Sequence, residues 1–214
     1  MEAVIQKVRD PIKGFMTQIA VVLNRVTEGK LSPDVVTLVG FAMHFPIALL
    51  VATRHNFWAA ALLVVFGLFD SLDGALARLQ KRSDPRGMLL DSITDRMKEI
   101  LLYIGASYAI IATTGRAYLA VWAVAACGCS VLVSYINAWG EAVVARHNIS
   151  QHSVNKSFRG GLFPFEVRMF ILVVGLLSDR LALAVIVITI GAVYTALTRL
   201  LRIFKRLGEA DVQS

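Results

Sequence analysis

Between Asp70 and Asp95 the chain reads DSLDGALARLQKRSDPRGMLLDSITD, with four aspartates, two glycines and an Ala-Arg pair at the offsets D-x2-D-G-x2-A-R-x8-G-x3-D-x3-D. Asp70 and Asp73 stand three positions apart and Asp91 and Asp95 four, so each couple shares one face of a helix. Two such helices can aim four carboxylates at one point. Carboxylate oxygens with no His or Cys among them suit a hard divalent ion, Mg2+ or Mn2+. Two ions held by four carboxylates form a clamp for phosphoryl transfer, a reaction that depends mainly on positioning and charge stabilisation.

The helices that carry these acids belong to a greasy chain. Of 214 residues 57% are hydrophobic and 17% charged, and the mean hydropathy is +0.65, a composition outside the range of soluble domains. Apolar runs long enough to span a bilayer are read at 35–53, 57–77, 88–113, 117–144, 163–178 and 181–204. Each Asp at membrane depth costs about 2.5–3.5 kcal/mol if left to lipid, so four together demand compensation, for which bound cations are the natural candidate. Of the 22 Lys and Arg residues, all but Arg54, Arg116 and Arg180 fall in segments assigned to one side. The positive-inside rule then puts both termini and the aspartates in the cytoplasm, in a multi-pass protein of the cell membrane.

Ahead of the first span, Asp10-Pro11 reads as a helix start, and Ile12, Phe15, Met16, Ile19, Leu23 and Val26 follow at helical spacing. This predicts either an amphipathic helix on the membrane surface or a helix packed in the bundle. The expected fold is an all-α membrane protein, six transmembrane helices preceded by an amphipathic surface helix. It forms one domain over 1–214, with a surface-helix region at 1–30 and a six-helix bundle at 33–206.

The aspartate segment resembles the signature of the CDP-alcohol phosphotransferase family, matched at all its fixed positions with both spacers at the expected length. The resemblance implies an integral membrane enzyme of phospholipid biosynthesis that moves a phosphatidyl-type group from a CDP-linked lipid to an alcohol and releases CMP. It implies two Mg2+ or Mn2+ ions on Asp70, Asp73, Asp91 and Asp95, with Asp95 also the general base and Asp70 also at the CDP-linked donor. Gly74 and Gly87 would let backbone approach the nucleotide and the helices approach each other. Arg78 offers a planar fork of donors to the diphosphate. In Leu31-Ser-Pro-Asp-Val-Val-Thr37, where Pro33 restarts the chain as a membrane helix, the family pattern places Asp34 and Thr37 beside the cytidine. The position of a hydroxyl residue common in related enzymes is taken here by Asp84, to which no role is assigned.

A second basic set, Lys156, Arg159, Arg168, Arg199 and Arg202, is expected at the cytoplasmic ends of the later spans, where several cations suit an acceptor carrying its own phosphate. Asp91-Ser-Ile-Thr-Asp95-Arg96, Ser134-Tyr135-Ile136 and Phe165-Glu166-x-Arg168 are similar to the phosphatidylinositol-phosphate synthase branch, which makes inositol 1-phosphate the first choice of acceptor. Where that branch continues K-A-R, this chain has Asn137-Ala138-Trp139, so two expected cations are absent. Glycerol 3-phosphate and an unphosphorylated alcohol stay open. The donor is CDP-diacylglycerol, or CDP-archaeol in an archaeal membrane, and the family pattern implies a homodimer, for which Gly105 and Ala106 would permit close helix approach.

Other classes fit less well. A net charge of +7 follows from topology and anionic lipid or phosphate, without a nucleic-acid motif. A transporter would show an inverted repeat and a polar route across the bilayer, whereas these acids gather at one side. Cys127 and Cys129 point to nearly opposite sides of a helix and pair neither with each other nor with a metal. No cleavable leader is read at the N-terminus.

Overall fold

A computed structural model describes residues 2–82, 84–146 and 163–211, and the described secondary structure is all helical. The helices are α1 (Glu2–Val26), α2 (Pro33–Ala52), α3 (Asn56–Gly67), α4 (Phe69–Leu79), α5 (Pro85–Thr114), α6 (Ala117–Arg146), α7 (Phe165–Leu177) and α8 (Leu181–Asp211). They fall into two compact units, residues 1–109 and 110–214.

In the first unit α1 runs through Pro11, so the helix does not start at Asp10-Pro11 as the sequence led us to expect. A proline inside a helix removes one amide donor and crowds the carbonyl four residues back, a cost of about 3 kcal/mol that packing elsewhere must offset. Met16 and Ala20 of α1 are buried with Val36 of α2 and Leu72, Ala75 and Leu76 of α4, and Ile12, Ile19 and Leu23 pack against them. Most of the apolar stripe of α1 thus enters the core, while Phe15, Val22 and Val26 stay exposed. The chain then turns at Gly29, whose φ of 73° suits a residue without a side chain. Ser32 follows in extended conformation, and Pro33 occupies the first turn of α2. Gln80, just past α4, donates 2.9 Å hydrogen bonds to Asn24 Oδ1 and to the Leu31 carbonyl, tying the ends of α1 and α4 together.

Gly105 of α5 lies on the backbone of Ala48 in α2, and a Cβ there would stand 2.5 Å from the Ala48 carbonyl oxygen. Ala106 is fully buried. Both small residues therefore serve packing inside the chain.

The second unit pairs α6 with α8, burying Val133 against Ala192 and Ala196. Thr189 of α8 donates 3.2 Å to the Trp122 carbonyl of α6. α7 packs on α8, where Gly175 meets Ala184. Cys127 and Cys129 form no disulfide.

Among the described residues, four helical stretches are long and apolar enough to cross a membrane: Pro33–Ala52, Asn56–Leu79 (α3 and α4 end to end), Ala117–Val143 and Leu181–Lys205. The other two expected spans differ for separate reasons. α5 has 30 residues but bears Asp91, Asp95, Arg96, Lys98 and Glu99 in its first half. α7 has 13 residues, about 20 Å at 1.5 Å per residue against a hydrocarbon core of about 30 Å.

Candidate active site

All four aspartates lie in the first unit. Asp70 and Asp73 occupy the start of α4, Asp91 and Asp95 the first half of α5. Asp70, Asp91 and Asp95 each bring a carboxylate oxygen within 4.8 Å of the others. Asp73 stands beside this trio with both oxygens engaged: Thr37 Oγ1 donates to Oδ2 at 2.5 Å, and the Gly74 backbone N–H donates to Oδ1 at 2.6 Å. Thr37 is thus a positioning residue for Asp73, in addition to the nucleotide role expected of it.

The cluster contains a cation that the signature offsets do not single out. Lys98 of α5 is 1% exposed, and its Nζ donates to Asp70 Oδ1 at 2.5 Å and to Asp95 Oδ1 at 3.2 Å. Its signal is present in the sequence all the same. Lys98 follows Asp91 by seven residues and Asp95 by three, on one helix face, at the entrance to a long apolar run. Arg96 adds a weaker contact to Asp95 Oδ2 at 3.8 Å and a close one, 2.9 Å, to the buried Glu99. The aspartates are therefore partly paired within the protein, through Lys98 first. Asp91 is different: its Oδ1 is buried without a hydrogen-bond partner.

Asp73 and Asp91 also line a cleft of about 160 Å³, together with Asp34, Thr37, Gly74, Arg78 and Gly87. Asp34, Thr37, Gly74, Arg78 and Gly87, five of the six residues expected at the CDP-linked donor, border this one space; the sixth, Asp70, does not line it. Gly87 has a definite role in it. A Cβ on Gly87 would stand 3.3 Å from Asp84 Oδ1 and 3.6 Å from Asp34 Oδ1, so its absence keeps two carboxylates and the space between them clear. A Cβ on Gly74 would meet Arg78 Nη1 at 3.5 Å, an ordinary contact, so here the guanidinium lies beside the glycine without needing its bare backbone. Asp84, unassigned from sequence, accepts a 2.7 Å hydrogen bond from the Gly87 N–H. Standing just before Pro85, it caps the start of α5, which turns Asp91 and Asp95 toward α4.

The expected acceptor residues are all beyond the first unit. Lys156 and Arg159 lie outside the described residues. Arg168 of α7 is 1% exposed and donates 2.9 Å to the Phe163 carbonyl. Arg199 of α8 is 6% exposed and donates 3.4 Å to the Val133 carbonyl. The charges of Arg168 and Arg202 both act on Arg199, which makes Arg168 and Arg199 neighbouring buried cations, while Arg202 is exposed. Asn137, standing where a cation was expected, keeps a buried carbonyl oxygen with no hydrogen-bond partner.

A family model described as CDP-alcohol phosphatidyltransferase matches residues 30–198, a stretch that contains the whole aspartate segment and the cleft. The chain belongs to this family. A CDP-alcohol phosphatidyltransferase relative, the phosphatidylinositol phosphate synthase of Corynebacterium glutamicum, is 28% identical over 179 residues, covering 80% of this chain and 77% of that protein. The archaetidylinositol phosphate synthase of Methanothermobacter thermautotrophicus is 26% identical over 212 residues, covering 96% and 97%. Among solved structures, phosphatidylinositol phosphate synthase of Mycobacterium tuberculosis with CDP-DAG bound matches with a TM-score of 0.75 at 28% identity, covering 88% of this chain and 93% of that one. The same enzyme in complex with manganese and citrate matches with a TM-score of 0.74 at 29% identity, covering 88% of each. The CDP-alcohol phosphatidyltransferase chain is thus a transferase of phospholipid synthesis with the fold of this membrane enzyme.

Proposed function

We propose that this chain transfers a phosphatidyl-type group from CDP-diacylglycerol to the hydroxyl of inositol 1-phosphate, releasing CMP. The observation that carries the reading is the convergence of Asp70, Asp91 and Asp95 within 4.8 Å. Asp91 extends that group into a cleft that Arg78 lines. CDP-archaeol is the equivalent donor in an archaeal membrane. The acceptor is supported by relatives named for inositol phosphate lipids and by Arg168 and Arg199, two buried cations suited to a phosphate.

The acids fit a divalent metal. They offer oxygen donors only, they are gathered closely, and the unpartnered, buried Asp91 Oδ1 is an acceptor that a cation would satisfy. Asp70, Asp73, Asp91 and Asp95 would hold two Mg2+ or Mn2+ ions. When bound, such ions neutralise the donor pyrophosphate and stabilise the leaving phosphate.

The chain's own residues do the rest. Arg78 binds the diphosphate, and Asp34, Thr37, Gly74 and Gly87 frame the nucleotide in the cleft. Asp95 takes the proton from the acceptor hydroxyl as its oxygen bonds to the lipid-linked phosphorus and the bond from that phosphorus to CMP breaks. Lys156, Arg159, Arg168, Arg199 and Arg202 gather the acceptor phosphate.

In the membrane, α5 and α7 join the four long apolar stretches as spans, with α1 on the cytoplasmic surface and Phe15, Val22 and Val26 in the interface. Both termini and the site face the cytoplasm. This orientation is supported by the position of Arg54, Arg116 and Arg180, each in a short turn between helices away from the aspartates in sequence. The chain acts as one domain and as a homodimer whose contact surface lies away from Gly105 and Ala106.

The test is CMP release by detergent-solubilised enzyme with CDP-diacylglycerol, Mn2+ or Mg2+, and a panel of acceptors. Inositol 1-phosphate should be preferred. Release with glycerol 3-phosphate alone would replace the acceptor, and no release with any alcohol would end the reading.

A further inference from the structure

Lys98 has no place in the reaction as derived above, yet it is one of the most deeply buried side chains of the protein and sits among the acids. Its ammonium holds Asp70 Oδ1 at 2.5 Å and Asp95 Oδ1 at 3.2 Å. Those are two of the three carboxylates gathered within 4.8 Å. A divalent ion bonds carboxylate oxygen at about 2.0–2.6 Å, so an oxygen already bound to an ammonium shares that approach only against cation–cation repulsion. The third carboxylate is left out of the pairing. Asp91 Oδ1 has no hydrogen-bond partner, and Asp91, with Asp73, lines the cleft, which Lys98 does not. The cluster is therefore half compensated, with its internal cation at Asp70 and Asp95 and its unsatisfied oxygen on the residue that borders the cleft.

We propose that Lys98 is a built-in counter-cation of the site, holding Asp70 and Asp95 until a divalent ion arriving past Asp91 displaces its ammonium, and so setting how tightly the site holds metal. This rests on the metal reading above and adds a competitor to it. A lysine is suited to the task. Its strongly hydrated point charge on a flexible stem swings away more readily than the fixed fork of an arginine, and its charge spares the apolar surroundings an uncompensated acid pair while no ion is bound.

Mn2+ titration by calorimetry on detergent-solubilised full-length protein tests this. Lys98→Gln should bind Mn2+ tighter than wild type by about 10-fold or more, since a unit positive charge near the ion is removed. It should also show a lower melting temperature without metal and a larger rise on adding Mn2+. Lys98→Arg, which keeps the charge on a fork that is displaced less readily, should bind Mn2+ no tighter than wild type. Equal affinity in wild type and Lys98→Gln would overturn the inference alone, whereas no Mn2+ binding by any of these proteins would overturn the metal reading with it. Wild-type protein carrying 15Nζ-labelled lysine gives a check that needs no variant. The buried ammonium signal should move on adding Mg2+, and a signal unmoved at saturating Mg2+ would equally overturn the displacement.

Discussion

Thr37 of α2 donates a 2.5 Å hydrogen bond to Asp73 of α4 across 36 positions of sequence, and this bond holds one of the two signature carboxylates, Asp73 and Asp91, that line the cleft. Thr37→Val keeps the shape and deletes the donor, leaving Asp73 Oδ2 buried and free to turn. A hydrogen bond to a charged group contributes about 1.5–3 kcal/mol, so kcat/KM should fall roughly 10- to 150-fold. Thr37→Ser should restore most of it. Steady-state CMP release decides, and an unimpaired Thr37→Val enzyme would remove Thr37 from any role at Asp73.

The carboxylates should be individually indispensable. Asp70→Asn, Asp73→Asn and Asp91→Asn each should abolish turnover and weaken Mn2+ binding with the fold retained, as judged by gel filtration and thermal unfolding. Asp95→Asn should lower kcat by about 10^2- to 10^4-fold with donor binding nearly intact, the range for a lost general base. EDTA should stop the reaction and Mn2+ or Mg2+ should restore it; turnover in EDTA would refute the metal mechanism.

Arg168 tests the acceptor. Arg168→Lys should raise KM for inositol 1-phosphate while KM for the CDP-lipid stays unchanged, because a point charge replaces a planar fork. Arg168→Ala should raise it further, by about 10- to 150-fold for a lost charge-assisted contact. The arginine also donates to the Phe163 carbonyl, so thermal unfolding is measured in parallel. Unchanged acceptor KM in a well-folded variant would move the phosphate pocket elsewhere.

Gly105→Leu should destabilise the chain by about 1–3 kcal/mol, the usual cost of overpacking, because a side chain there runs into the Ala48 backbone. Since the contact is within one chain, the loss in melting temperature should not depend on protein concentration. A variant that folds normally but changes oligomeric state would return Gly105 to a subunit interface.

Orientation is open to labelling. In a protein with Cys127 and Cys129 replaced by alanine, a cysteine at Arg116 should react with an impermeant maleimide on intact cells and one at Lys81 only after lysis. Both positions are exposed. The opposite pattern would put the active site on the outer face.

The aspartate segment was legible in sequence because its information is local. The three- and four-residue offsets define helix faces, and glycine and arginine at fixed positions have meanings that survive without coordinates. The same holds for Pro33 as a helix start. Where the sequence spoke less clearly, the deciding interaction was long-range. Which face of α1 is covered depends on whether α4 offers a matching surface, and it does, through Leu72, Ala75 and Leu76. The close approach at Gly105 was readable, but its partner, Ala48, was not. Hydropathy read α5 and α7 like the other spans, whereas α5 carries the charges of the site in its first half and α7 runs to 13 residues. Above all, sequence could list four acids without saying which of them meet. Folding gathers Asp70 of α4 with Asp91 and Asp95 of α5, hands Asp73 to Thr37 of α2 and brings Lys98 within reach of Asp70. Sequence spacing sets the direction of a side chain along its own helix, whereas the distance between two charges on different helices exists only once those helices have packed.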